Sequence, residues 1–207
     1  MRLIGSTNSG DLIVEMTPKQ WQDVQAAYQT SIQGQTAVLP PLVTHINQNA
    51  EGSKQFLNDC GMACAAMAIH AMTDKRPTVD HLMMHYISQE KRNKYLTFND
   101  LSVVLKSFGL KPDYKRPFLT DSIKTMVEAG WPCMVLVKYS ALPKRLQARD
   151  FDGSHFVLIS DYANDAFRMH DPLVSTAQWI NGVDLHTAMS GFKAGENMPY
   201  QGMVIRK

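Results

Sequence analysis

The chain has 207 residues, of which 44% are hydrophobic and 19% are charged, and its formal net charge at pH 7 is +2. This composition is ordinary for a folded globular protein and excludes a chain too polar to bury a core. The small net charge gives no reason to expect nucleic acid as a partner. No stretch reaches the roughly 18–20 consecutive apolar residues that a membrane-spanning helix needs.

The cysteines and the first residues bear on where the protein is made. Three cysteines in a chain of this length do not form a disulfide framework. Residues 1–7 lack the continuous apolar run of a secretory signal peptide. We therefore expect cytoplasmic synthesis without a signal peptide, although packaging in a virus particle or another signal-independent route would leave the same sequence.

The first quarter of the chain differs from the rest. A turn-rich centre within residues 2–16 predicts a β-hairpin, and the Thr-Pro pair at 17–18 predicts a helix that runs to about residue 28. Residues 30–54 are rich in Gln, Thr, Asn and Ser, which indicates an irregular connection. We expect a boundary here, with a hairpin, helix and connection over residues 1–49 and the main domain over residues 50–207.

Within the main domain the pattern changes from helical to extended. Helices are predicted over residues 59–73, after Thr78, and over 99–108, 120–129 and 175–189. Strands are predicted over residues 132–139, 155–162, 166–170 and 203–206. Because most helices precede most strands, the pattern indicates an α+β domain rather than alternating βαβ units.

One cysteine stands where a thiol is most easily ionised. Cys60 begins the predicted buried helix over residues 59–73, and the unpaired N–H groups and dipole of a helix start favour negative charge. Gln55, five positions upstream, can supply the second donor of an oxyanion hole beside the N–H of Cys60. This arrangement is suited to a cysteine nucleophile.

A histidine and an aspartate follow at a spacing that brings them together. His155 opens one predicted strand and Asp171 closes the next, so a strand, a turn and a returning strand place both at the same end of an antiparallel pair. Asp171 can then orient His155 and stabilise its imidazolium. If the buried helix packs against this hairpin, Cys60 comes within reach of His155.

These stretches together carry a family resemblance. The sequence Asp59-Cys60-Gly61-Met62-Ala63, followed by Gly153-Ser154-His155 and by Asp171-Pro172, resembles the bacteriocin-processing cysteine peptidases. The best-known members of that family are domains that cut double-glycine leader peptides on peptide-exporting ABC transporters, and free-standing relatives exist. The resemblance covers about residues 50–190, with Met62 where the family usually has proline.

The resemblance implies a fold and a set of roles. The fold would be the papain-like cysteine peptidase fold of the α+β class, with N-terminal helices packed on a C-terminal antiparallel sheet. Cys60 would be the nucleophile, His155 the general base, Asp171 its orienting carboxylate and Gln55 the oxyanion donor. The activity would be a cysteine peptidase that acts on a peptide or protein substrate and needs no cofactor.

Other functions remain open at this point. The same scaffold could serve a cell-wall amidase or another acyl-transfer enzyme, or a non-catalytic binding module that has kept the fold, as a component of a larger assembly. Cys60, Cys64 and His70 share one segment but lack a fourth metal ligand at matching spacing. We expect Cys64 and Cys133 to be core residues and no metal to be bound.

Overall fold

The computed structural model describes part of the chain, namely residues 2–6, 12–15, 17, 19, 42–50, 58–92, 94–193 and 198–207. The chain divides into two compact units, Met1–Val38 and Leu39–Lys207. The predicted helix that runs to about residue 28, most of the predicted connection and Gln55 lie outside the described residues. The domain boundary near residues 49 and 50 stays a prediction.

The first unit contains an antiparallel strand pair. Strand β1 (Arg2–Ser6) pairs with β2 (Leu12–Glu15), and the register places Arg2 opposite Glu15. The pair lies where the turn-rich segment predicts a hairpin.

The second unit combines five helices with a six-stranded sheet among its described residues. The helices are α1 (Cys60–Met72), α2 (Val79–Tyr86), α3 (Phe98–Ser107), α4 (Thr120–Glu128) and α5 (Gly182–Ser190). The strands are β3 (Lys111–Lys115), β4 (Cys133–Lys138), β5 (Ser154–Ala163), β6 (Ala166–His170), β7 (Gln178–Asn181) and β8 (Gly202–Arg206). The sheet order is β3-β8-β4-β5-β6-β7, and every neighbouring pair is antiparallel.

Local chemistry explains where several helices begin and end. The side chain of Thr78 accepts a hydrogen bond from the His81 N–H, and Thr97 forms a capping box with Asp100. Gly109 and Gly130 follow α3 and α4 with φ of 77° and 80°, a left-handed conformation that glycine adopts at little cost. These signals are local in the sequence, which is why the helix positions could be predicted.

Two apolar layers cover the two faces of the sheet. Along β4, Met134 and Leu136 pack with α1, α2 and α3, while Cys133, Val135 and Val137 pack with α4 and α5 on the other face. The alternation follows from the two-residue period of a strand. The sheet is therefore enclosed between helices, and α1, the most buried of them, lies directly on β5.

The predicted fold class is confirmed: N-terminal helices pack on a C-terminal antiparallel sheet. Two element assignments were wrong. The predicted helix over residues 175–189 is instead the short strand β7 followed by α5, because Asn181 caps α5 by accepting from the Asp184 N–H. The edge strand β3 was missed because its sequence, KPDYK, is polar and contains proline.

Candidate active site

Cys60 is the first residue of α1 and remains half-buried, whereas residues 62–69 of the helix are fully buried. Asn58 precedes it with a left-handed φ of 59°, which turns the chain into the helix. The start of α1 approaches the sheet closely at Gly61, where an added Cβ would lie 3.0 Å from side-chain atoms of both Leu101 and Phe156. This close approach brings Cys60 beside β5.

His155 and Asp171 meet at one end of the β5–β6 hairpin. His155 is the second residue of β5, and Asp171 directly follows β6. The His155 Nε2 lies 2.7 Å from the Asp171 Oδ1, and both side chains are buried. The same Oδ1 accepts a hydrogen bond of 2.8 Å from the Leu173 N–H, which fixes the carboxylate in the turn.

The electrostatics of His155 reflect this neighbourhood. Burial by itself would lower the pKa of His155, because it disfavours the charged imidazolium. The negative charge of Cys60, the hydrogen bonds with Asp171 and Cys60, and the charge of Asp171 outweigh that effect and raise the pKa to about 9. Since Asp171 occupies Nε2, the ring nitrogen left for the thiol of Cys60 is Nδ1.

A cavity of about 380 Å³ opens beside Cys60. Part of its wall is apolar and comes from the layer that contains α1, namely from Leu96, Phe98, Leu136 and Phe156. Lys138, Asp152 and Ser154 line it as well, and the Lys138 ammonium pairs with the Asp152 carboxylate at 3.4 Å. A concave, mainly apolar space with a few polar groups next to a thiol is suited to a peptide side chain.

A segment without regular secondary structure, upstream of the nucleophile, is anchored to the turn that carries Asp171. The Asn47 Nδ2 donates to the Val174 carbonyl at 2.8 Å, and the His45 Nε2 bonds the same carbonyl at 2.8 Å. The Gln48 N–H donates to the Pro172 carbonyl, also at 2.8 Å. Three hydrogen bonds thus join residues 45–48 to the turn after β6.

Three of the four residues singled out from the sequence are together: Cys60, His155 and Asp171. Gln55, the fourth, lies outside the described residues. Cys64 and Cys133 are fully buried core residues. Tyr139, which contacts His155, was not singled out, since only the pairing of β4 with β5 reveals that it lies beside the histidine.

Among the described residues, no group of three or more His, Cys, Asp or Glu side chains is arranged to hold a metal ion. His70 bonds the Pro77 carbonyl at 3.0 Å through Nε2. His81 and His85 are exposed on α2, with ring centroids 4.3 Å apart and ring planes tilted by 40°.

Comparison with known proteins places this arrangement in a family. The model of the Peptidase C39-like family matches residues 41–194, which span both the helices and the hairpin of the site. The chain belongs to the Peptidase C39-like family. Membership supports a peptidase-type function. No curated protein matches the sequence.

Two solved structures are similar to this family member. A Bacillus anthracis protein assigned as a C39-like peptidase is 15% identical, with a TM-score of 0.59 over 84% of this chain and 98% of its own. A double-glycine motif protease from an AMS/PCAT transporter, solved with its leader peptide, is 11% identical, with a TM-score of 0.51 over 82% of this chain and 96% of its own. At these identities the likeness shows a shared fold. None of the helices described here is long and apolar enough to cross a membrane.

Proposed function

We propose that the protein is a cysteine peptidase that cleaves peptide bonds through an acyl-enzyme formed on Cys60. The observation that carries the proposal is the position of His155, which is hydrogen-bonded to Asp171 at 2.7 Å and whose pKa is raised by Cys60 at the start of the helix that packs on β5. An imidazole held between a carboxylate and a thiol is the arrangement that activates a nucleophile.

The first half of the reaction transfers the acyl group to the enzyme. His155 takes the proton of the Cys60 thiol, and the thiolate attacks the peptide carbonyl carbon to form a tetrahedral intermediate. The N–H of Cys60 and the amide of Gln55 stabilise its oxyanion. The C–N bond then breaks, and protonated His155 gives its proton to the departing amine, which leaves a thioester on Cys60.

The second half restores the enzyme. His155, now neutral, takes a proton from water as the water attacks the thioester carbonyl. The C–S bond breaks, the acid product leaves, and the proton held by His155 returns to Cys60. Asp171 stays ionised throughout, because its role is to orient the imidazole and stabilise its charged form.

The substrate is a peptide or a protein segment that lies along the opening beside Cys60. The apolar wall formed by Leu96, Phe98, Leu136 and Phe156 binds a substrate side chain, and the Lys138–Asp152 pair lies among the polar groups of the same cavity. The double-glycine motif protease was solved with a leader peptide bound, which supports a peptide as the ligand class.

The test is cleavage of a broad peptide library, read by mass spectrometry, with wild type, Cys60→Ala and Cys64→Ala. Cys60→Ala should abolish cleavage, while Cys64→Ala should cut the same peptides as wild type because Cys64 is a core residue. Cleavage by Cys60→Ala would overturn the proposal. A protein that binds a peptide equally well with or without the Cys60 thiol, and cuts none, would be a binding module instead.

A further inference from the structure

Tyr139 lies directly behind the proposed catalytic histidine and has no role in the chemistry described so far. It follows β4 and is fully buried. Its backbone N–H donates to the Gly153 carbonyl at 3.0 Å, which continues the pairing of β4 with β5. Its ring meets the His155 ring in an edge-to-face contact, with centroids 5.1 Å apart and planes at 80°.

The hydroxyl of Tyr139 accepts one hydrogen bond and still has a proton to donate. The Ala148 N–H donates to this oxygen at 2.7 Å. That bond uses a lone pair of the hydroxyl oxygen and leaves the hydroxyl proton available for a buried acceptor. A buried hydroxyl of this kind is expected to find such a partner.

The Asp171 carboxylate is bonded to the same His155 ring that Tyr139 contacts. Oδ1 of Asp171 is used by His155 and Leu173, while the buried Oδ2 makes no hydrogen bond of standard geometry with any described residue. Burial raises the pKa of Tyr139 to about 12, the Ala148 N–H opposes the rise, and the charge and hydrogen bond of Asp171 add to it. The Tyr139 hydroxyl therefore stays protonated well above neutral pH, so its proton is available for a hydrogen bond to Asp171.

Resting on the peptidase function above, we propose that Tyr139 is a positioning residue that holds both members of the His155–Asp171 pair. Its hydroxyl steers Oδ2 of Asp171, so that Oδ1 stays in line with His155 Nε2, and its ring limits rotation of the imidazole. Catalytic groups need this kind of support because small misplacements of a base cost large factors in rate.

Tyr139→Phe is the central variant, since it keeps the ring contact with His155 and removes only the hydroxyl. A hydrogen bond to a charged group is worth about ten- to a hundredfold in an equilibrium, so we expect turnover to fall by about that factor. The Michaelis constant should change little, because Tyr139 is buried and lines no part of the cavity. Alkylation of Cys60 by iodoacetamide at pH 6 should slow in parallel.

The matched control is Tyr162→Phe. The Tyr162 hydroxyl also donates to a carboxylate, Asp165 Oδ1 at 2.9 Å, but at the opposite end of the β5–β6 hairpin. This variant should keep wild-type turnover and wild-type Cys60 alkylation. A fall of equal size in both variants would show a general effect of losing a hydroxyl and would overturn the inference.

A double-mutant cycle separates positioning from general stability. If Tyr139 acts through Asp171, adding Tyr139→Phe to Asp171→Ala should slow Cys60 alkylation no further. An equal loss in both backgrounds would overturn the inference. Because alkylation needs no known substrate, it distinguishes failure of the proposed function from failure of this inference. Slow alkylation of Cys60 in wild type would contradict the Cys60–His155 pair. Fast alkylation that is unaffected by Tyr139→Phe would contradict only the role of Tyr139.

A direct probe covers the case in which Tyr139→Phe fails to fold. With 3-fluorotyrosine in place of Tyr139, the hydroxyl and the ring are retained. The ¹⁹F signal of that residue should shift when Asp171→Asn is added and stay unchanged when Asp165→Asn is added. If the ¹⁹F chemical shift does not change when Asp171→Asn is added, the hydroxyl does not reach the carboxylate and the inference is overturned.

Discussion

His155 Nε2 and Asp171 Oδ1 form a buried pair 2.7 Å apart that closes one end of a single β-hairpin. Because the carboxylate can only accept a hydrogen bond, it requires a proton on Nε2 and thereby selects the tautomer whose Nδ1 is available to the thiol. The Leu173 N–H, bonded to the same oxygen, prevents Asp171 from turning away. The pair thus defines which nitrogen performs each proton transfer proposed above.

The first prediction concerns the reactivity of the three cysteines toward iodoacetamide. Cys60 is half-buried beside His155, whereas burial raises the pKa of the Cys64 and Cys133 thiols well above the usual value. We expect Cys60 to be alkylated much faster than the other two below pH 7, under the usual thiol pKa of about 8.5, with sites identified by mass spectrometry. His155→Ala should remove the advantage. Equal rates at all three cysteines would contradict the assignment of the nucleophile.

The second prediction concerns Asp171. Loss of an orienting carboxylate costs up to ~10⁴ in turnover in triad enzymes, so Asp171→Ala should nearly abolish turnover and change the Michaelis constant less. Asp171→Asn should be milder, since papain-like peptidases use asparagine in this role. Steady-state kinetics of the three proteins provide the check. Full activity in Asp171→Ala would remove this residue from the site.

The third prediction is a shift of the pH profile. His155 must carry a proton to release the amine, and that proton is held below its pKa of about 9 and lost above it. Turnover should therefore fall as pH rises through about 9. Asp171→Asn removes a charge that raises the pKa of His155, so the alkaline limb should move to lower pH. An alkaline limb that stays in place would mean that another group controls it.

The fourth prediction tests Gln55, which lies outside the described residues. An oxyanion donor is typically worth about 10²–10³ in turnover, so Gln55→Ala should lower turnover by that factor with little effect on binding. Gln89→Ala, which changes an exposed glutamine on the surface, is the control and should be neutral. If Gln55→Ala is fully active, Lys54 and Asn58 become the next candidates, and Asn58 lines the cavity beside Cys60.

The fifth prediction concerns stability in acid. Burial, with the positive charges of Arg168 and His45 adding to it, lowers the pKa of His170 to about 3. The unfolded chain binds this proton below about pH 6.5 and the folded chain does not, so His170 should reduce the free energy of unfolding as pH falls from 6.5 to 3, by up to about 1.4 kcal/mol per pH unit. Burial raises the pKa of Asp59 to about 7. Asp59 therefore has the opposite effect and increases the free energy of unfolding as pH falls over much of this range.

A variant comparison isolates the histidine from Asp59. His170→Gln should make the acid side of the stability curve shallower in urea unfolding, because it removes the group that takes up the extra proton on unfolding. His85→Gln, at an exposed position, is the control. An unchanged slope in His170→Gln would contradict the neutral state of the buried imidazole.

Local signals in the sequence account for what could be predicted. The cap at Thr78 and the left-handed glycines at positions 109 and 130 act within one turn of the chain, so the helices they bound were predicted. His155 and Asp171 were paired correctly because one short hairpin separates them. That relationship requires only the geometry of two adjacent strands.

What could not be predicted depends on distant partners. Strand β7 exists because β6 lies beside it, and its four residues are too few to show a period. The role of Tyr139 depends on the register between β4 and β5, and the hydrogen bonds from His45, Asn47 and Gln48 reach a turn far along the chain. Sequence periodicity carries no information about such pairings.

The division of the site between a hairpin and a helix far away in the sequence affects the order in which the site assembles during folding. His155 and Asp171 come together when the short β5–β6 hairpin closes, and a short closure is fast. Cys60 joins them only when α1 docks on β5 through the close contact at Gly61. The large sequence separation therefore predicts that the thiol meets its base only after the hairpin has formed. A newly made chain would carry an ordinary, weakly reactive cysteine until its core is complete, which protects it and its neighbours from premature acylation or oxidation.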